Sequence, residues 1–323
     1  MRLIRLIAPL AVLLLVSCAE KAPQTGSGSG AASETGANEP RIAALSPAVA
    51  VMLRDLGLED RIVARHDFDK ILSDTIPRAG SSLGWDLEVL IGVEPTHLVF
   101  QRTTADLPDR VTQLAGARGW TIVQRPLDTL DDIASFMDDL ALLFDERAEV
   151  GVGPGSALEP DFDPDPGVDL PGAALGRAWR DRGPIADRAG RVLILGSLDP
   201  PAAMGPGSFH HQLITRMGMT PAIQDGAMWI EIDYEDIVSI APDSIIVFAP
   251  DPDRDDERFG LPGTPDLDDA RDALGPIAEL PTPASESGRL GVIDHPLALL
   301  PASSLAEVAR ETEALLESWD EEP

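Results

Sequence analysis

Residues 41–127 alternate short apolar runs with stretches whose apolar residues recur every three or four positions. RIAAL, RIVARHD, THLVFQ and WTIVQR predict strands, because apolar runs of this length are typical of buried strands. AVAVMLRDLGL, DLEVLIGVEP and DRVTQLAGARG predict helices, since their apolar residues fall on one helical face. Strands that alternate with helices are typical of a parallel sheet, so this part predicts an α/β lobe.

The same pattern begins again at residue 191. RVLILGSL, DSIIVFAP and RLGVIDH predict strands, while SFHHQLITRMG, YEDIVSIAP and SLAEVARETEALLESW predict helices. We therefore predict an α/β protein with two Rossmann-like lobes, residues 41–127 and 191–323, and a ligand cleft between them. Clefts between related lobes are common ligand sites.

Residues 128–190 are predicted to connect the lobes. Apolar residues three and four apart predict an amphipathic helix at 129–147. Residues 151–172 are rich in Gly, Pro and Asp and predict a loop or insertion, because prolines and glycines interrupt a helix. Helix is predicted to resume in AALGRAWRDR.

A short repeat links the two predicted lobes. Residues 86–88 are Asp-Leu-Glu and are followed seven residues later by Pro95 and a strand, and residues 233–235 are Asp-Tyr-Glu, followed seven residues later by Pro242 and a strand. The repeat predicts that each lobe contains the same helix-to-strand unit. Coincidence is the alternative, since helices that end at a proline before a strand are common.

The first residues have the layout of an export signal. Two arginines within the first five residues precede an uncharged apolar run at 6–16, which is about half the roughly twenty residues that a membrane-spanning helix needs. The run ends in LVSC, which resembles the lipobox of bacterial lipoproteins and predicts lipidation of Cys18. Cys18 is the only cysteine, so no disulfide can form within the chain. A chance cysteine near a cleavage site is the alternative to this lipoprotein signal peptide at 1–18.

Residues 19–40 consist largely of Gly, Ser, Ala and Thr, which predicts a flexible tether. A net charge of -30 and a sequence pI near 4.3 exclude nucleic acid as a natural partner and disfavour anionic ligands, because the protein would repel both. Most of the acidic residues are interpreted as a solvated surface.

Four segments together resemble the ABC-transporter solute-binding proteins that carry cobalamin, haem and ferric siderophores. They are RIAALSPAVAVMLRDLGLEDRIV, GWDLEVLIGVEPTHLVF, GSLDPPAAMGPGSFHHQLITRMG and MWIEIDYEDIVSIAPDSIIVF. The resemblance implies two lobes on a stiff helical backbone, and a monomer in the cell envelope that works with an ABC permease. It implies neither catalysis nor a resident cofactor or metal. The interruption at 151–172 departs from the family pattern and leaves the rigidity between the lobes open.

The resemblance does not identify the ligand. Pro200-Pro201 and Met228-Trp229 are similar to the cobalamin binders, but Ala202 stands where that branch often has an aromatic residue. The sequence therefore favours a corrinoid and leaves haem or a ferric siderophore open. A lipoprotein that has lost ligand binding is a further alternative, as is an anchored hydrolase with His66 or His295 as base and Ser208 as nucleophile. No G-x-S-x-G motif supports the hydrolase.

Five residues are candidate ligand contacts, because loops at the carboxyl ends of strands line ligand clefts in α/β proteins. His66, Arg102 and His295 follow predicted strands, and Trp85 and Trp229 lie in predicted loops at equivalent places in the two lobes. A histidine here could be an axial metal ligand, a hydrogen-bond donor or an ordinary surface residue. The tryptophans could face a flat macrocycle or cap the core of each lobe.

Glu88 and Glu235 occupy equivalent positions in the repeat. In the family that the chain resembles, glutamates at these places meet arginines on the two halves of the permease. The resemblance thus implies a docking role for both residues. The alternative is stabilisation of a helix start by a carboxylate, worth about 0.3–1 kcal/mol.

Overall fold

The computed structural model describes five stretches of the chain: residues 39–81, 84–102, 107–145, 170–251 and 267–319. The predicted signal peptide with Cys18, most of the predicted tether and the segment 146–169 lie outside these stretches. In the described part, no helix has both the length and the apolar composition that crossing a bilayer requires.

The first lobe contains the four strands and three helices that its pattern predicts. In chain order its elements are β1 (Ile42–Ala44), α1 (Pro47–Asp55), β2 (Ile62–Arg65), β3 (Gly80–Ser81), β4 (Gly84–Trp85), α2 (Leu87–Val93), β5 (His97–Gln101), α3 (Asp109–Arg118) and β6 (Thr121–Arg125). Strands β2, β1, β5 and β6 form one sheet in that order, and all of its pairs are parallel. The two-residue strands β3 and β4 form a small antiparallel pair that the pattern did not predict.

Between the lobes, the described residues form three helices: α4 (Leu130–Phe144), α5 (Pro171–Ala178) and α6 (Pro184–Asp187). The second lobe contains β7 (Arg191–Leu198), β8 (Pro201–Met204), α7 (Phe209–Arg216), β9 (Thr220–Pro221), β10 (Trp229–Glu231), α8 (Tyr234–Ile240), β11 (Ser244–Phe248), α9 (Leu267–Leu274), α10 (Pro283–Ser287), β12 (Leu290–Ile293) and α11 (Leu305–Ser318). Its sheet has the order β10-β8-β7-β11-β12, with β9 paired to β7.

This second sheet is mixed, which the sequence pattern did not predict. Strands β7, β11, β12 and β9 pair in parallel, whereas β8 and β10 run antiparallel to their neighbours. Strands β8, β9 and β10 are only two to four residues long, which is too short to show an apolar periodicity.

One end of the predicted loop at 151–172 is helical, which corrects the prediction. Pro171 and Gly172 begin α5, where proline suits the first helical position because that position needs no amide donor. Gly172 N donates to Asp138 Oδ1 of α4 at 2.6 Å, so a side chain of another helix caps α5. Burial raises the pKa of the Asp138 carboxyl, and the hydrogen bond from Gly172 opposes that shift.

The repeated unit has the same backbone in both lobes. Asp86 and Asp233 cap α2 and α8 by accepting from backbone amides of the first turn. Both helices end in a left-handed residue, Glu94 at φ 44° and Ala241 at φ 47°, and these are the non-glycine residues with positive φ among those described. Residues other than glycine seldom adopt this backbone conformation. Its occurrence at equivalent positions therefore supports the interpretation that the two units are a repeat.

Successive residues of the first sheet face two different apolar cores. Ala43 of β1 lies in a core that α2 and α3 cover, whereas Ile42 and Ala44 lie in a second core on the opposite face. Side chains alternate along a strand, so each face of the sheet contributes to its own core.

The second sheet divides in the same way. Ile245 and Val247 of β11 lie in a core covered by α8, α9 and α10, while Ile246 and Phe248 lie in the second core that the first sheet also faces. That second core is therefore common to both lobes, and we call it the shared core.

The shared core is filled by side chains of the helices between the two sheets. It contains Met52 of α1, Phe136 of α4, Leu213 of α7 and Leu316 of α11, all at most 1% exposed. Helix α4 begins with a capping box in which Thr129 and Asp132 satisfy each other's backbone amides. The lobes are thus joined through packed helices that belong to one apolar core.

Polar contacts also tie the first lobe and the connecting helix α4 to the second lobe. Ser303 Oγ donates to Asp55 Oδ2 at 2.6 Å, and Leu130 N donates to Gln212 Oε1 at 3.1 Å. The second contact ties the start of α4 to α7.

Candidate ligand-binding cleft

The candidate residues gather at one edge of each sheet. Parallel strands end at the same edge, so the residues after β2 and β5 share an edge of the first sheet, and those after β11 and β12 share an edge of the second. Helices α2 and α8 begin at these edges because they precede β5 and β11. In open α/β sheets, this is the edge at which ligands bind.

His66 follows β2 directly and is 8% exposed. Its Nδ1 accepts a hydrogen bond from Phe68 N at 3.1 Å, so a neutral imidazole carries its proton on Nε2. Burial lowers the pKa of His66, and the carboxylates of Asp67 and Asp69 oppose that shift. The nitrogen that a metal would need is the protonated one, so this geometry favours a hydrogen-bond donor over an axial ligand.

His295 makes the same turn at the edge of the second sheet. Leu297 N donates to its Nδ1 at 3.1 Å, and its Nε2 lies 3.1 Å from Glu307 Oε2 on α11. The hydrogen bond from His295 lowers the pKa of the Glu307 carboxyl. His295 is fully buried, so both ring nitrogens serve the fold and the geometry supports a structural role rather than a ligand contact.

Trp85 lies in β4, not in a loop as predicted. Its ring meets Phe100 edge-on, with centroids 5.1 Å apart, and it packs against the core under α2 and α3. Trp85 also borders a polar depression of about 620 Å³, together with Arg78 and Glu88. The contact with Phe100 supports the core-capping interpretation.

Trp229 lies in β10, the edge strand of the second sheet, and not in a loop as predicted. It pairs with Met204 of β8, and its side chain stays 49% exposed. A tryptophan half exposed on a paired strand presents a fixed aromatic surface, which suits contact with a ligand.

Three exposed apolar side chains at these edges were not predicted. Phe68 is 67% exposed and its ring lies 5.5 Å from that of His66, while Met228 is 57% and Tyr234 42% exposed. Phe68 stands in the polar segment DFDK, and Tyr234 is the only tyrosine of the chain. These two features could have marked Phe68 and Tyr234 as candidates. A sequence does not show, however, which apolar side chains stay outside the core.

Arg102 follows β5 directly and is exposed. Its backbone N donates to Arg125 O at 2.6 Å, which extends the pairing of β5 and β6 by one residue. Among the described residues, no side chain forms an ion pair with its guanidinium.

Glu88 and Glu235 are exposed second residues of α2 and α8. The caps of these helices come from Asp86 and Asp233, so neither glutamate is needed as a cap. Each lobe therefore presents an exposed carboxylate at an equivalent place.

No protein-family model matches the chain, and no curated protein matches its sequence. Solved structures do match. The periplasmic vitamin B12 binding protein of Vibrio cholerae is 15% identical, with a TM-score of 0.58 over 88% of this chain and 98% of that chain. The periplasmic heme binding protein of Vibrio cholerae is 20% identical, with a TM-score of 0.58 over 86% and 99%. The periplasmic heme-binding protein of Roseiflexus sp. RS-1 is 16% identical, with a TM-score of 0.55 over 87% and 99%. At these identities the likeness establishes the fold: this chain has the two-lobed α/β fold with a helical backbone of the periplasmic vitamin B12 and heme binding proteins.

Proposed function

We propose that this protein is an extracytoplasmic, lipid-anchored solute-binding protein that delivers a corrinoid or an iron complex to an ABC importer. The observation that carries the proposal is the fold, which is shared over 86–88% of the chain with proteins described as binding vitamin B12 or heme. The exposed aromatic side chains at the edges of both sheets support a large, flat ligand.

Among these ligands, a cobalamin-like corrinoid fits the candidate site best. Its peripheral amides are uncharged acceptors and donors that suit the Nε2 proton of His66 and the guanidinium of Arg102. Haem carries two carboxylates, which a protein of net charge -30 repels. Trp229 and Phe68 would contact the apolar faces of the macrocycle.

Titration of the purified mature protein with cyanocobalamin and, separately, with haemin tests this proposal. We expect cyanocobalamin to bind with the higher affinity, measured by calorimetry. A protein that binds haemin alone, with a Soret band, would favour the haem alternative. Binding of neither compound, together with no small molecule in mass spectra of protein from its native source, would favour a lipoprotein without ligand binding.

We do not propose catalysis. Ser208, the serine of the hydrolase alternative, is 8% exposed and caps α7. Its Oγ accepts from His211 N at 3.1 Å and donates to Gly205 O at 2.9 Å, so the hydroxyl is part of a helix start.

The lipid anchor is the part of the proposal that depends on Cys18. We expect Cys18→Ser to move the protein from the membrane fraction to the soluble fraction of fractionated cells, because serine has no thiol for the lipid. Ser17→Ala, which leaves the cysteine in place, is the matched control. A Cys18→Ser protein that still sediments with membranes would show that the anchor proposal is wrong.

A further inference from the structure

We propose that Gly196 is a positioning residue that fixes the Trp229 indole in a seat between β7 and Met204, and so presets the surface on which the ligand stacks. The seat is defined by Gly196, Met204 and Trp229. This inference rests on the proposed function, because it assumes that Trp229 contacts the ligand.

The first observation is an extra residue in β7. Leu195 pairs with Ala203 of β8, but Ser197 pairs with the adjacent Ala202, so Gly196 is the additional residue of a β-bulge. Bulges bend a strand locally and occur often beside functional sites, where they redirect a neighbouring side chain.

The second observation is the packing at Gly196. A Cβ atom added there would lie 2.3 Å from Met204 Cε and 2.7 Å from Trp229 Cζ3, closer than real Cβ contacts. The indole of Trp229 and the thioether methyl of Met204 thus occupy the space that a side chain at position 196 would need. Glycine inside a strand is unfavourable in itself, and a close approach by a neighbour is a usual reason for it.

The third observation is that β10 is held on both faces. On the face opposite Trp229, Ile230 Cδ1 lies 2.7 Å from the position of a Cβ on Gly205 and 3.0 Å from that on Gly226. Pairing with β8 and these contacts of Ile230 hold the backbone of β10, and the Trp229 indole lies against Gly196, although 49% of Trp229 is exposed. A side chain that is already ordered loses less conformational entropy when a ligand binds.

The position of the seat matches its proposed use. Strand β7 pairs with β11 as far as Leu195 and Val247, and then continues to Leu198 beside β8. Gly196 therefore lies where β7 passes the end of its pairing with β11, at the candidate ligand edge.

Gly196→Ala tests the inference, with Gly116→Ala in α3 as the control because no heavy atom lies within 4 Å of a Cβ added at Gly116. Two properties are measured: the near-ultraviolet circular dichroism of the ligand-free protein, and the Kd for cyanocobalamin. Each variant is also made in a Trp229→Phe background, which isolates Trp229 from the other four of the five tryptophans. We expect Gly196→Ala to change the Trp229 signal and to raise Kd at least about fivefold, but to raise it much less when Trp229 is absent.

Equal increases of Kd in both backgrounds, or an unchanged Trp229 signal, would overturn the role of Gly196. If the unmodified protein does not bind cyanocobalamin, the corrinoid proposal fails and this inference fails with it, whatever the haemin titration shows. If the protein binds cyanocobalamin but the effects of Gly196→Ala and Trp229→Phe are independent, only the role of Gly196 is overturned. If Gly196→Ala does not fold, Met204→Ala opens the seat from its other side. It is expected to show the same two effects, and their absence would equally overturn the seat.

Discussion

Replacement of both Glu88 and Glu235 by arginine is expected to abolish ligand uptake while ligand affinity stays nearly unchanged. Both carboxylates are exposed at equivalent places in the two lobes, where they are available to basic groups of the proposed permease. Charge reversal at a rim opposes docking electrostatically. Arginine near a helix N-terminus costs only about 0.3–1 kcal/mol at each site, so the melting temperature should fall little.

Uptake is measured in cells that depend on this protein for the ligand. The control is Asp272→Arg with Glu317→Arg, which changes the net charge equally at exposed positions in α9 and α11. Normal uptake by the Glu88/Glu235 variant would refute the docking role. If the control also loses uptake, the loss comes from the change in net charge and not from the positions of Glu88 and Glu235.

Trp229→Ala is expected to weaken ligand binding by at least about 1–2 kcal/mol, the scale of losing a large aromatic contact. The indole is half exposed at the candidate ligand edge, so its removal takes away ligand contact and little of the core. Calorimetry with cyanocobalamin measures the change. Ile91→Ala in α2, where the side chain is 37% exposed, controls for the loss of an exposed apolar group. Unchanged affinity for cyanocobalamin would show that Trp229 does not contact the ligand.

Much of the fold was predictable because helices and central strands carry their periodicity in the sequence. α4, for example, buries its residues three and four apart, as predicted. The bounds of β8 and β10 were not predictable, because these strands of four and three residues form only through tertiary pairing, β8 with β7 and β10 with β8. The start of α5 was placed wrongly because its cap comes from Asp138, which is distant in sequence.

The candidate site was less predictable than the fold. His66 and His295 follow strands in similar turns. The ring of His295 also contacts Glu307 of α11, whereas the described residues show no such carboxylate contact for the ring of His66. Which helix covers a strand end is a tertiary property that local sequence does not contain. Phe68 is an apolar residue that stays exposed, and its sequence context would equally have allowed it to fold into the core.

The shared core limits how the protein can be divided. Residues 40–323 form one compact unit, and the inner faces of both sheets are covered by the same set of helices. A fragment that ended at residue 127 would keep its first sheet but expose the apolar face that Phe136 and Leu213 cover in the whole chain. The first lobe is therefore not expected to fold as an autonomous unit without the helices that follow it in the chain.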